Sequence, residues 1–386
     1  DYLPKAWSEP YGTLQDTVYE VYDLQAIRID GAAEHPTALV QSAAMASVPP
    51  PVPSYRPVLP KTLVRDGLLS APQLESVIYA GNAHETHLKG LFKRGEIEGQ
   101  LIAAAEGDEG AFRLRKGWFL GDGTGCGKGR QVAGIILDNW LQGRRRSVWV
   151  SKSDKLIEDA RRDWMALGGR ESDIVPLSKF RQGSDIRLPE GILFVTYATL
   201  RSAEREGKAA RLEQVTSWLG EGFDGVIAFD ESHAMANAAG EKSDRGDKKA
   251  SQQGLAGLAL QNAVPDARVL YVSATGATVV GNLAYASRLG LWGTGDFPFV
   301  TRAEFVAAME AGGIAAMEMI SRDLKALGLY LARSLSYAGV EYEMLVHELT
   351  PAQIAIYDSY AKAYQIIHTN LEAALQASGI SSETGT

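Results

Sequence analysis

Ten residues, Gly121-Asp-Gly-Thr-Gly-Cys-Gly-Lys-Gly-Arg130, constrain what this chain can fold into more than any other stretch. They follow a short apolar run, Trp118 to Leu120, and precede a segment with helical spacing, so the loop joins a strand to a helix. Glycines let a backbone curl until its N–H groups converge on one spot, and the helix starting near Lys128 adds its positive dipole end there. That combination binds phosphate, and Lys128 is placed to reach the β and γ phosphates of a nucleotide. The expected contacts are Gly123, Thr124, Gly125, Cys126, Gly127, Lys128, Gly129 and Arg130. A dinucleotide fingerprint fails, because every register of G-x-G-x-x-G loses its third glycine. A bare packing turn gives no reason for Gly-Lys at its end. Two positions depart from the usual phosphate-loop pattern: Asp122 stands at the first glycine, and Gly129 stands where Ser or Thr would bind Mg2+. Cys126 has no partner base in the pattern and reads as a small loop residue, not a nucleophile.

Further short apolar runs at Ser147 to Val150, Gly191 to Val195, Gly225 to Phe229 and Arg268 to Val272 alternate with helical patterns. Such alternation predicts an α/β fold, a mostly parallel sheet covered by helices on both faces. Residues 1–60 lack periodicity and carry Pro49, Pro50, Pro51 and Pro53, which predicts an extended N-terminal segment draped on the core. A helix is expected from Ser70 with Pro72 in its first turn, then helices at Arg302 to Met309 and Ile314 to Leu327 and an alternating strand at Val340 to Leu349. Thr350 and Pro351 open a last helix. The expected division is an extension at 1–60, the main domain at 61–349 with an insertion at about 88–114, and a C-terminal helical segment at 350–386. Insertions of that kind are often surface helices, and sometimes partner-binding or strand-separating elements.

The second chemical signal is Asp230-Glu-Ser-His233, where the apolar strand Val226 to Phe229 runs into adjacent carboxylates. Open α/β sheets bind ligands at strand ends. Asp230 can hold Mg2+, and Glu231 can polarise the water that attacks a γ-phosphate. The alternative is an acidic turn with Asp as helix cap, which loses ground beside a phosphate loop. A third strand end, Ser273-Ala274-Thr275-Gly276, carries hydroxyls that could couple nucleotide state to motion. His84 and His87 lie three apart on a helix without further ligands, a packed or solvated pair and not a metal site.

The order of these elements resembles superfamily 2 helicases with a DEAD-like box, here Asp-Glu-Ser-His. More narrowly, the loop at Gly121 to Arg130, Ser273 to Ala277 and Asn282 to Gly293 resemble the Strawberry notch family. Leu69 to Ala80 resembles its upstream glutamine motif, and Tyr330 to Val340 the segment closing its first lobe. The likeness covers about Val48 to Leu349 and includes the Gly-Lys-Gly-Arg loop ending. It implies a RecA-like P-loop NTPase lobe that binds and hydrolyses ATP with Mg2+. By resemblance, Gln73 contacts adenine, Lys128 the phosphates, Asp230 the metal and Glu231 the water, while His233, Ser273 and Thr275 link the site to nucleic acid. Ser151, Lys152, Thr196 and Tyr197 match strand ends that touch nucleic-acid backbone, DNA ahead of RNA.

Nothing after Pro351 resembles a second RecA-like lobe, and the chain opens at Asp1, so a longer protein supplying that lobe is expected. A trans-acting arginine can be worth about 10³ to 10⁵ in rate. The lobe alone is therefore expected to bind ATP and hardly turn it over. Net charge is −8, so any polyanion must meet local basic runs: Arg113, Arg115 and Lys116; Arg144 to Arg146; or Lys242, Arg245, Lys248 and Lys249. Each also reads as a solvated surface run. One cysteine, no apolar membrane-length run and no secretory leader point to cytoplasm, or nucleus if the source is eukaryotic. The competing reading is a nucleotide-dependent scaffold for partner proteins. A small-molecule kinase would need an acceptor pocket that no residues identify.

Overall fold

Strands whose middle residues are all apolar cannot face water on either side, and the central strands here are apolar except toward their ends. In the computed structural model, which describes residues 1–7, 19–95, 101–201, 210–236, 251–274, 283–294 and 296–377, they form one sheet. Its strands are β1 (Trp118–Leu120), β2 (Arg146–Ser151), β3 (Ile174–Pro176), β4 (Gly191–Thr196), β5 (Val226–Asp230), β6 (Arg268–Val272) and β7 (Tyr330–Leu331). All pair in parallel, in the order β7-β1-β6-β5-β2-β4-β3. Their side chains are buried almost without exception, as a parallel sheet covered by helices requires. This is the RecA-like P-loop α/β fold.

Register matters for function. Leu120 pairs with Val272, and Val272 with Asp230, so the ends of β1, β6 and β5 lie level at the carboxyl edge. Adjacent strands are ~4.8 Å apart, which puts Asp230 about 10 Å from the root of the phosphate loop. The chain leaves β1 and returns at β2, beyond β6 and β5, so the crevice for a ligand opens there.

Helix α1 (Ala71–His84) starts as expected, with the Gln73 side chain accepting the Ser70 N–H at 3.0 Å. Helix α2 (Lys128–Leu141) follows the loop and packs on α1, where Gly134 meets Val77 and Leu69. On its other flank lies α3 (Ile157–Ala166), with Trp140 and Trp164 ring centroids 5.6 Å apart. Helices α4 (Arg211–Leu219) and α5 (Gln252–Ala263) follow. Then comes α6 (Arg302–Ala326), broken by a left-handed Gly313 at the junction of the two expected helices.

The N-terminal segment is docked on the core. Its proline run is held by tyrosine hydroxyls: Tyr79 donates to Pro51 O and Tyr2 to Pro53 O, both at 2.8 Å. Strand Leu39–Ser42 pairs with Ser334–Leu335, tying residues from both ends of the unit.

Three expectations need correction. The insertion is no surface helix: Leu91–Arg94 and Leu101–Ala104 form an antiparallel pair, each run being too short to nucleate a helix. Val340 to Leu349 forms no strand, because alternation makes a strand only against a pairing edge. The edge strands β3 and β7 lay outside the expected set. The chain divides into two units, Asp1–Ser336 and Tyr337–Thr386. In the second, α7 (Pro351–Ala377) is capped as expected, Thr350 N donating to Gln353 Oε1 at 2.9 Å. No helix among the described residues is long and apolar enough to cross a membrane.

Candidate active site

The phosphate loop turns on Gly125 and Gly127, both left-handed at φ 90° and 77°. A side chain at either would also collide, with Leu335 Cδ1 at 2.5 Å from position 125 and Gln73 Nε2 at 2.4 Å from position 127. Gln73 thus abuts the loop, donating to Cys126 O at 3.4 Å. Thr124 and Gly125 are exposed. Lys128 opens α2 and folds back to donate to Gly123 O at 3.3 Å. Cys126 is buried, and burial pushes its thiol up to about 11, so it is no nucleophile at neutral pH.

Gly129 has a physical reason. A Cβ there would sit 2.3 Å from Asp163 Oδ2, so Ser or Thr would have to displace a carboxylate from α3. Asp163 also holds Arg130, Nε to Oδ1 at 3.3 Å, while Arg130 Nη1 donates to Leu68 O at 3.2 Å. Arg130 therefore braces α2 between α3 and the turn that leads into α1.

Behind the loop lies what sequence reasoning missed. Asp122, at the first-glycine position, turns inward and receives a two-pronged contact from Arg333: Nε to Oδ1 at 3.0 Å and Nη2 to Oδ2 at 2.8 Å. The Arg333 backbone N–H adds a third bond to Oδ1 at 3.0 Å, and Gln131 Nε2 a fourth to Oδ2 at 2.9 Å. Arg333 also donates to Gln131 Oε1, Ser76 Oγ and Glu75 Oε2. The pair is fully buried. A lone arginine in the apolar stretch Tyr330-Leu-Ala-Arg333, set against a carboxylate inside a glycine loop, was the signal available.

At the end of β5, Asp230 accepts from Ser151 Oγ at 3.3 Å and from the Glu231 N–H at 3.0 Å. Burial, then the neighbouring Glu231 charge, raises its pKa to about 6. Glu231 is left-handed at φ 50°, alone in this among non-glycine residues described. Such strain costs about 1–3 kcal/mol and gathers at functional sites. It aims the carboxylate at His233, whose Nδ1 lies 3.2 Å from Glu231 Oε2 and 3.1 Å from Ser273 Oγ. The acidic box and the end of β6 are thus linked through one imidazole. Tyr197 is buried, stacked on Phe229, and donates to Asp230 O at 2.9 Å. Thr196 caps the short helix Tyr197–Leu200, and Lys152 is exposed. Ala274 ends the described part of that turn; Thr275 lies outside the described residues.

The donors suit Mg2+. Asp230 offers hard oxygens whose charge a cation would relieve, and no cluster of three His, Cys, Asp or Glu occurs among the described residues. Mg2+ needs only one or two carboxylates, completed by water and substrate phosphates.

A family model described as P-loop containing NTP hydrolase pore-1 matches residues 34–359. Protein strawberry notch homolog 1 of Rattus norvegicus is 37% identical over 355 residues, 90% of this chain and 26% of that protein. The chain belongs to the Strawberry notch family of P-loop NTP hydrolases. Protein FORGETTER 1 of Arabidopsis thaliana, a further relative, is 35% identical over 88% of this chain and 24% of its own length. This Strawberry notch domain spans about a quarter of the curated relatives it matches. Among solved structures, a Sulfolobus solfataricus SWI2/SNF2 ATPase core in complex with dsDNA aligns with TM-score 0.39 and 15% identity, over 57% of this chain and 40% of that one.

The arginines of two basic runs of this family member are engaged with neighbouring protein groups. Arg144 pairs with Asp224 at 2.9 Å and Arg145 with Glu190 at 3.1 Å, while Arg146 donates to Pro189 O and Trp218 O. They sit where β2, β4 and β5 begin, at the edge opposite the phosphate loop. Arg115 donates to Asp266 O and His84 O, and Arg113 to Lys89 O. The run Lys242 to Lys249 lies outside the described residues. His84 is buried with Nε2 on Val269 O, and His87 faces Asp266.

Proposed function

We propose that this chain is the first motor lobe of an ATP-driven translocase acting on nucleic acid, DNA before RNA, with a second RecA-like lobe completing the site. The observation that carries the reading is the His233 bridge: the carboxylate suited to activating water shares one imidazole with a hydroxyl at the next strand end. A motor needs such a link, because hydrolysis must be felt where the track is gripped. Lys128 is read as the phosphate ligand, Gln73 as the adenine contact, Asp230 as the Mg2+ ligand and Glu231 as the base. When bound, Mg2+ would neutralise charge developing on the transferred phosphoryl group. Exposed Lys152, at the same carboxyl edge, supports backbone contact with the track, whereas Thr196 is buried and caps the helix that follows it. Ser151 and Tyr197 turn inward and support Asp230 instead.

A second reading, a nucleotide-dependent scaffold, is favoured by the internal pairing of Arg115 and of Arg144 to Arg146 together with a net charge of −8. One experiment separates them: steady-state ATP hydrolysis by this chain and by a version extended to the next domain, each with and without single- and double-stranded DNA and RNA. The motor reading expects stimulation by one polymer in the extended protein. Binding without turnover in every combination would establish the scaffold. Lys128→Ala should abolish nucleotide binding, and equal affinity in wild type and variant would sink the phosphate-loop assignment.

A further inference from the structure

The loop's two departures from pattern have different neighbours. Gly129 makes room for Asp163, whereas Asp122 is one half of a buried ion pair whose other half lies 211 residues later. Burying a carboxylate and a guanidinium is costly unless nearly every lone pair and proton finds a partner. Here both Asp122 oxygens are doubly engaged, and the guanidinium reaches acceptors on α1, the loop root and α2. The loop's own backbone is held by the same segment. Gly123 N–H donates to Arg333 O at 2.6 Å, Cys126 Sγ lies 3.5 Å from that oxygen, and Leu335 fills the space beside Gly125.

We propose that Arg333 is a positioning residue for nucleotide binding: acting through Asp122, it holds the phosphate loop in its phosphate-ready curl. This inference rests on the phosphate-loop reading above. The glycine usual at this position gives a loop its freedom; Asp122 with Arg333 gives this one a fixed anchor. The planar fork is essential, because separate guanidinium nitrogens grip both oxygens of Asp122 while also reaching Gln131 and Ser76, a two-pronged contact that the single nitrogen of an ammonium does not reproduce. Asp122 and Gln131 lie on the two sides of the loop, so the fork sets the distance between its strand root and its helix.

The test uses the whole chain, a fluorescent ribose-labelled ATP analogue with Mg2+, and two variants, Arg333→Lys and Asp122→Asn. Each keeps volume and polarity. A merely structural role would lower the melting temperature and leave the affinity of the folded protein unchanged. The proposal expects affinity, measured well below melting and with native circular dichroism, to weaken at least about tenfold in both. Wild-type affinity in either folded variant overturns it, and if Arg333→Lys does not fold, Asp122→Asn decides alone. Lys128→Ala separates the two layers. Wild-type binding lost in Lys128→Ala but kept in Arg333→Lys sinks the positioning role only. Binding that Lys128→Ala leaves intact sinks the phosphate-loop reading and the proposal with it.

Discussion

The two halves of the candidate site are built on opposite physical terms. Behind the phosphate loop, Asp122 and Arg333 are sealed from water and hydrogen-bonded on all sides. At the end of β5, Asp230 has a raised pKa, Glu231 is strained, and the Glu231 and His233 side chains are each about one-third exposed. The first arrangement resists motion; the second holds groups away from their resting preferences. Binding a polyphosphate calls for a fixed cradle, whereas activating water calls for groups that can exchange protons and relax.

If that contrast is right, substitutions at the two ends should fail differently. The largest effect belongs to Glu231→Gln: hydrolysis in the lobe-completed protein should fall about 10²- to 10⁴-fold with nucleotide affinity retained. Single-turnover kinetics beside equilibrium binding would check it. A parallel loss of affinity would erase the distinction between cradle and catalyst. Asp122→Ala should instead act on the fold, costing about 3–5 kcal/mol by leaving Arg333 buried without its main counter-charge. Urea unfolding would measure this, and a cost near zero would mean the pair is not the anchor described.

Away from both halves, buried His84 supplies an internal standard for acid sensitivity. Burial, outweighing its hydrogen bond to Val269 O, holds its pKa down at about 3. The native imidazole is neutral while the unfolded chain takes up a proton below about 6.5. The unfolded state therefore binds more protons, and the stability from this group, full above 6.5, is lost as pH falls toward 3. His84→Gln should flatten the fall in melting temperature across that window. The smallest effect on stability is the most pointed: Glu231→Gly should raise it by about 1 kcal/mol by removing left-handed strain, with a loss of turnover like that of Glu231→Gln. Equal stability would show that the strain is relieved elsewhere.

The elements at the carboxyl edge were legible because each is local: a loop with glycine at every second position, an apolar strand running into Asp-Glu, a strand ending in Ser273. Five of the seven central strands announced themselves as apolar runs. Ile174–Pro176 and Tyr330–Leu331 did not, being edge strands of two or three residues that rely on a neighbour for definition. The Asp122–Arg333 pairing left only a faint signal, for a related reason. Each residue alone looks like an exception to its motif, and only the fold brings them together. Glu231's left-handed backbone leaves no local trace either, since nothing in Asp-Glu-Ser-His favours it.

The order in which the chain emerges gives Arg333 one more consequence. The phosphate loop's anchor and its neighbouring strand β7 are the last parts of the first unit to be synthesised, 211 residues after Asp122. At about 5–20 residues per second, a ribosome needs on the order of 10–40 s to make that stretch. Throughout that interval the nascent loop has its glycines and its lysine but no wall behind them. Nucleotide competence should arrive late and abruptly, so that a product truncated before Arg333 is not a weak ATPase but a chain unable to mature one.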